Sequence, residues 1–257
     1  MKHILVTGSA DGIGQQIAQQ LTAAGHHVVL HARTEERAVA AKAAVPAAAD
    51  VVVGDLASLE QTRALAATLG RFDAVVHNAG IARMDSSERA LTEDGLDSTF
   101  QVNVLAPYLL TALMPRPGRL VFMSSALAAE GVTDLRDVSY ETRQWNGYEA
   151  YCSSKLYCML LAFAFARRWP DTLSNAVDPG WVRTRMGGAG APTDPADAAR
   201  VPAWLAASDE ALDSGGYLTD RDWHPGEQHR DPVLLDELLA LCAHLGGARL
   251  GEGPGTR

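Results

Sequence analysis

Tyr151 and Lys155 stand four residues apart in Tyr151-Cys152-Ser153-Ser154-Lys155. Four residues is about one helical turn, so the phenol and the ammonium share a helix face. A fixed cation stabilises a phenolate, which makes the phenol a usable proton donor or acceptor near neutral pH. The only lysines are Lys2, Lys42 and Lys155, and arginine supplies nearly all the other positive charge. A compact ammonium stands here in a chain that otherwise favours a planar guanidinium, and the two differ in what they do at a site. Taken alone, the pair has a plain alternative as a surface i,i+4 contact.

The N-terminus decides between them. Residues 3–7 form a short apolar run, followed by Gly8-Ser9-Ala10-Asp11-Gly12-Ile13-Gly14 and a helical stretch to Ala24. A buried strand, a glycine-rich turn and a helix start, in that order, are the context of a dinucleotide site. The glycines allow a tight turn close to a pyrophosphate, and the helix start offers free N–H groups with a partial positive charge. The spacing is Gly-x-x-x-Gly-x-Gly.

Together these features resemble the short-chain dehydrogenase/reductase family, over essentially the whole chain. The family's opening Thr-Gly-x-x-x-Gly-x-Gly is matched by Thr7 to Gly14, and its Asn-Asn-Ala-Gly by His77-Asn78-Ala79-Gly80, with histidine in the first place. Asn103, Ser125 after Ser124, the Tyr151/Lys155 pair, and Pro179-Gly180-Trp181-Val182-Arg183-Thr184 follow in family order. The long Ser125–Tyr151 interval, Met186 to Pro192, and the Ser208-Asp-Glu and Ser214-Gly-Gly-Tyr217 stretches look like the retinol dehydrogenase and WW-domain oxidoreductase branch.

The resemblance implies catalytic roles for Asn103, Ser125, Tyr151 and Lys155. Ser125 would orient a carbonyl oxygen, with Ser124 the other candidate. Tyr151 would deliver the proton, Lys155 would hold the nicotinamide ribose, and Asn103 would support a water relay behind the lysine. Thr184 would bond the carboxamide. The implied nucleotide contacts are Gly8, Ser9, Asp11, Gly12, Ile13, Gly14, Arg33, Asp55, Leu56, Asn78, Ala79, Gly80, Tyr151, Lys155, Pro179, Gly180, Val182 and Thr184. Asn103 also reads as a buried structural amide, Thr184 as a turn residue, and Asp55 equally as a helix N-cap or an adenine contact.

The nucleotide can be narrowed from the residues. An Asp or Glu at the end of the second strand, about twenty residues past the glycine loop, grips a free 2′-hydroxyl. Here the strand ends His31-Ala32-Arg33, and an arginine suits a 2′-phosphate. Thr34 reads as an N-cap, which places Glu35 and Glu36 in a first helical turn where they complement the helix dipole. Asp11 is unhelpful for a phosphate. The expected cofactor is NADP(H) over NAD(H).

Apolar runs alternate with helical stretches. Strands are expected at 3–7, 27–32, 50–54, 73–77, 118–124, 173–177 and 216–218, and helices at 12–24, 35–45, 58–69, 86–113 (broken), 149–168, 195–207 and 232–245. The pattern predicts one α/β domain over residues 1–245, a Rossmann-type, doubly wound, mainly parallel seven-stranded sheet with helices on both faces. The irregular 126–147 and the 185–207 region are expected to line the substrate pocket, with tryptophans and Met186 giving it an apolar wall. The glycine-rich 246–257 is expected to be a mobile tail.

A 257-residue chain with 47% apolar content fits one such core. A net charge of −9 argues against nucleic acid as partner. Cys152, Cys158 and Cys242 form no C-x-x-C and read as small hydrophobes of a reduced, intracellular protein. No metal site is expected, because no His/Cys/Asp set shows ligand spacing. Without an eighteen-residue apolar run or a leader, the chain reads as cytoplasmic and unanchored. The expected partner is a small apolar carbonyl or alcohol, with a homodimer or other homo-oligomer possible. The functional reading is an NADP(H)-dependent oxidoreductase. The alternative is a non-catalytic NADP(H)-binding sensor or scaffold on the same fold.

Overall fold

Strand β1 (His3–Val6) is buried at Ile4, Leu5 and Val6, and strand alternation sends Ile4 and Val6 to one face of the sheet and Leu5 to the other. Ile4 and Val6 join apolar residues of α1 (Gly12–Ala23), α2 (Glu35–Ala44) and α8 (Arg200–Ala207). Leu5 joins α3 (Leu59–Thr68), α5 (Ala106–Leu113), α6 (Gly147–Arg168) and α9 (Pro232–Gly246). A strand apolar on both sides needs helices over both faces, which a parallel sheet supplies through its crossovers. The computed structural model describes residues 1–211 and 213–251.

The sheet runs β3 (Asp50–Val53), β2 (His27–Ala32), β1, β4 (Ala74–His77), β5 (Arg119–Met123), β6 (Leu173–Val177), β7 (Tyr217–Leu218), and every neighbouring pair is parallel. The chain order reverses between β1 and β4, which opens a crevice at their carboxyl ends. The short edge strand β7 is tied back: Gly216 N–H donates to Asn175 Oδ1 at 2.7 Å, Tyr217 Oη to the Ser125 carbonyl at 3.0 Å, and Thr219 Oγ1 to Asp178 Oδ2 at 2.9 Å.

Three expectations need correction. The helix expected from residue 86 begins at Ser98, because a turn closes from Leu96 back to Thr92 (Thr92 N–H to Leu96 O, 2.9 Å) and Asp97 then caps the amides of Thr99 and Phe100. It runs as α4 (Ser98–Phe100), a π turn (Gln101–Leu105) and α5. The expected mobile tail starts bound: Gly246 belongs to α9 and its carbonyl accepts from Arg63 at 2.6 Å, while the Ala248 carbonyl accepts from Tyr108 Oη at 3.0 Å. Residues 252–257 of that tail lie outside the described residues. The helix expected over 195–207 is α7 (Pro195–Ala198) followed by α8.

Helix α9 lies over both α5 and α6, and a 3-10 turn (Ala126–Glu130) packs on α6. The faces of α5 and α6 are therefore covered from within the chain. No helix among the described residues is long and apolar enough to cross a membrane.

Candidate active site

The glycine loop is held from both neighbouring strands. Asn78, just past β4, donates its side-chain amide to the carbonyls of Thr7 and Gly8 at 3.0 and 3.1 Å. Thr7 Oγ1 accepts from the amides of Asn78 and Ala79, each at 3.0 Å. From β2, buried His31 accepts the Gly8 N–H on Nδ1 at 3.0 Å, so Nε2 carries the proton and donates to the Gly54 carbonyl at 2.9 Å. Burial lowers the His31 pKa, in keeping with this neutral tautomer. A Cβ at Gly14 would stand 2.4 Å from the Gly8 carbonyl oxygen. Only glycine permits that approach, and it leaves the α1 N-terminus open towards the crevice.

Helix α6 starts at its Asn146 cap and carries Tyr151 and Lys155 inward, 8% and 5% exposed. Lys155 Nζ donates to the carbonyl of Met123, the last residue of β5, at 3.0 Å and lies 5.7 Å from the Tyr151 ring centroid. The Tyr151 hydroxyl has Met186 Sδ as its neighbour, at 3.8 Å. Ser124 is engaged elsewhere: its hydroxyl donates to the Lys155 carbonyl at 2.8 Å. Ser125 is less buried, and its Oγ accepts only from Leu127 N–H at 3.3 Å, as cap of the 3-10 turn.

One cavity of about 1330 Å³ runs across this region. Its wall includes Gly8, Asp11, Gly12, Ile13, Gly14, Arg33, Asp55, Leu56, Asn78, Ala79, Gly80, Ser125, Tyr151, Lys155, Pro179, Gly180, Val182 and Thr184. Two expected site residues are not in that wall. Ser9 is fully buried, and its Oγ accepts the His31 N–H at 2.9 Å. Asn103 stands behind the wall, its amide bonded to both backbone groups of Ile81 (2.8 and 2.9 Å) and to Ser154 Oγ (2.9 Å). It still abuts the site, since a Cβ at Gly80 would lie 3.3 Å from both Asn103 Oδ1 and Lys155 Nζ.

Asp55 caps no helix. Ser58 caps α3, and Asp55 Oδ1 accepts from Ala57 N–H at 2.9 Å. Thr34 does cap α2.

The expectation that 126–147 lines the pocket is met only at Ala126 and Leu127. The segment is drawn away by its polar contacts. Arg89 donates to the carbonyls of Ser139 and Tyr140 at 2.6 Å each, and Trp145 Nε1 donates to Asp97 at 3.0 Å. Trp181 and Met186 line the cavity, whereas Trp145, Trp204 and Trp223 do not. Sequence reasoning missed His31, Arg37, Met84, Tyr148, Arg185 and Arg221, which also line it. Of these, Tyr148 had a readable signal, three residues before Tyr151 on the same helix face. Among the described residues, no group of three or more His, Cys, Asp or Glu side chains is placed to hold a metal ion.

A glycine cradle on a helix N-terminus, a buried cation and a buried phenol in the wall of one crevice suit a nicotinamide dinucleotide. Residues 2–194 match the family model described as short chain dehydrogenase, and the chain belongs to that family. Short-chain dehydrogenase chyC of Penicillium rubens is 42% identical over 265 residues, spanning 97% of this chain and 99% of the relative. Retinol dehydrogenase 13 of Homo sapiens is 30% identical over 293 residues, spanning 100% and 87%. Among solved structures, the angucycline C-6 ketoreductase LanV with bound NADP matches with a TM-score of 0.65 at 25% identity, covering 84% of this chain and 93% of that one.

Proposed function

We propose that the protein is an NADP(H)-dependent oxidoreductase that interconverts an apolar aldehyde or ketone and the matching alcohol. The observation that carries the reading is the convergence of Ser125, Tyr151, Lys155 and the glycine cradle on one cavity. The cofactor, when bound, supplies or takes the hydride. Gly8, Gly12 and Gly14 would cradle its pyrophosphate, and Lys155, with two of its three donors still free beside the Met123 bond, would hold the ribose near the nicotinamide.

Negative charge builds on the carbonyl oxygen as it is reduced, and it needs a hydrogen bond and then a proton. The Ser125 hydroxyl would donate that hydrogen bond and the Tyr151 hydroxyl would give the proton. Lys155 stabilises the tyrosinate left behind. Asn103 is a positioning residue in this scheme, fixing the backbone beside Gly80 and the α6 turn at Ser154. Ile81, Met84, Leu127, Trp181 and Met186 give the wall an apolar character, which supports a hydrophobic substrate.

The test is the change in nicotinamide absorbance with NADPH and, separately, NADH, against a panel of aliphatic, aromatic and polyene aldehydes and ketones. Turnover with NADPH is expected on at least one apolar carbonyl; turnover confined to NADH would remove the cofactor assignment. Arg33, at the tip of β2, supports the preference for a 2′-phosphate. Exchanging Arg33 for Asp should erode or reverse selectivity for NADPH, read as the ratio of kcat/KM for the two nucleotides. An unchanged ratio would exclude Arg33 as the selector.

The reading includes a cytoplasmic location, supported by three free and buried cysteines. Self-association through α5 and α6 is not part of it, because α9 and the 3-10 turn already cover those helices.

A further inference from the structure

Asp11 is the discordant residue of the glycine loop, a carboxylate at the mouth of a phosphate site. It occupies the N-cap position of α1 but makes no side-chain capping bond. Its Oδ2 instead accepts from Arg37 Nη2 at 2.7 Å and pairs with Arg185 from the loop after β6. Arg37 belongs to the first turn of α2, whose N-cap Thr34 accepts the Arg37 N–H. Arg33 lies four residues earlier at the tip of β2. Arg33, Arg37 and Asp11 line the same cavity.

An arginine on a first helical turn is ordinarily a mobile surface group. Here the Arg37 side chain is only 32% exposed and is tied back across the gap between β2 and the glycine loop. That gap is where the 2′-oxygen of a dinucleotide ribose lies in a doubly wound sheet. One bond to Asp11 leaves most of the five guanidinium donors available, in the planar fork that fits a phosphate. The two arginines on Asp11 also offset its negative charge, which removes the objection to a carboxylate in this loop.

We propose that Arg37 is a specificity-determining residue, the second guanidinium with Arg33 in a site for a 2′-phosphate, and that Asp11 aims it. The inference rests on the NADP(H) reading. It assigns the discrimination to a pair of arginines rather than to the strand tip alone. It also gives the acidic residue of the loop a positioning role.

The experiment is calorimetric titration of the full chain with two nucleotide fragments, adenosine 2′,5′-bisphosphate and adenosine 5′-monophosphate. Wild type should bind the bisphosphate more tightly. The R37A variant should lose about tenfold or more on the bisphosphate and keep its affinity for the monophosphate, which also shows that it is folded. R37K should recover part of the loss. With Arg37 removed, D11N should tighten bisphosphate binding by charge alone; with Arg37 present, lost aiming should reduce or reverse that gain.

Equal losses of R37A on both fragments, or no loss, would overturn the role of Arg37. A D11N effect of the same size and sign in both backgrounds would overturn the aiming role. A wild type that fails to prefer the bisphosphate would overturn the NADP(H) reading itself. That outcome is seen before any variant is made, so the two failures are separable.

Discussion

Replacing Tyr151 with Phe should lower turnover by about a hundred- to ten-thousandfold while nucleotide affinity stays within about twofold. The change deletes one hydroxyl from a ring that stays packed in α6. In the folded protein that hydroxyl reaches only Met186 Sδ, at a long 3.8 Å, so stability should hardly move. The reduced oxygen would then have no proton donor, because Ser125 is suited to orient it and Ser124 is committed to the α6 backbone. Single-turnover oxidation of NADPH, set beside nucleotide affinity from fluorescence quenching, separates chemistry from binding. Near-normal turnover in the variant would remove Tyr151 from the role of acid.

Acid should destabilise the protein steeply, with His77 as a principal cause. His77 is buried at the end of β4, stacked on Phe122 with ring centroids 4.8 Å apart. Thr111 Oγ1 donates to the Pro107 carbonyl at 2.8 Å, so it accepts from His77 Nε2, also at 2.8 Å. Nδ1 has no hydrogen-bond partner. Burial lowers the His77 pKa to about 3, against about 6.5 in an unfolded chain.

The unfolded chain therefore takes up a proton that the native state refuses. This contribution is complete above pH 6.5 and is lost as pH falls from there towards 3, at about 1.4 kcal/mol per unit. Between pH 7 and pH 5, His77 should cost roughly 2 kcal/mol, and neutral, buried His31 acts in the same direction. H77N, which installs the asparagine of the family motif, should recover most of the His77 share. Urea unfolding of both proteins at the two pH values reads the difference directly. Equal losses would exclude His77 as the cause.

The periodic features of the fold are legible in the sequence. Seven apolar runs became seven strands, and the i,i+4 spacing of Tyr151 and Lys155 was enough to put both on one inward helix face. The glycine spacing located the crevice, because strand–turn–helix order carries its own geometry. The illegible part was set by contacts distant in sequence. Nothing local marks Asp11 as the partner of Arg37 and Arg185, or turns Ser9 towards His31 rather than the cleft. The 126–147 segment carries no sign that Arg89 and Asp97 draw it off the pocket. The helix start at Ser98 depended on Asp97, one of several residues with capping chemistry in a polar run.

The hydroxyl of Tyr217 on the carbonyl of Ser125 has a consequence for how the molecule breathes. Strand β7 is two residues long and lies beyond residue 194, where the match to the family model ends. It nevertheless braces the candidate catalytic serine directly, and Thr219 braces the Asp178 carboxylate that accepts the Gly180 N–H at 2.9 Å. A short edge strand is among the first elements to detach in sub-global opening. When β7 lifts, the serine turn and the Pro179-Gly180 corner lose their supports together. The serine end of the crevice would then share its lifetime with the edge of the sheet, while the glycine loop, between β1, β2 and β4, is anchored at the sheet's centre.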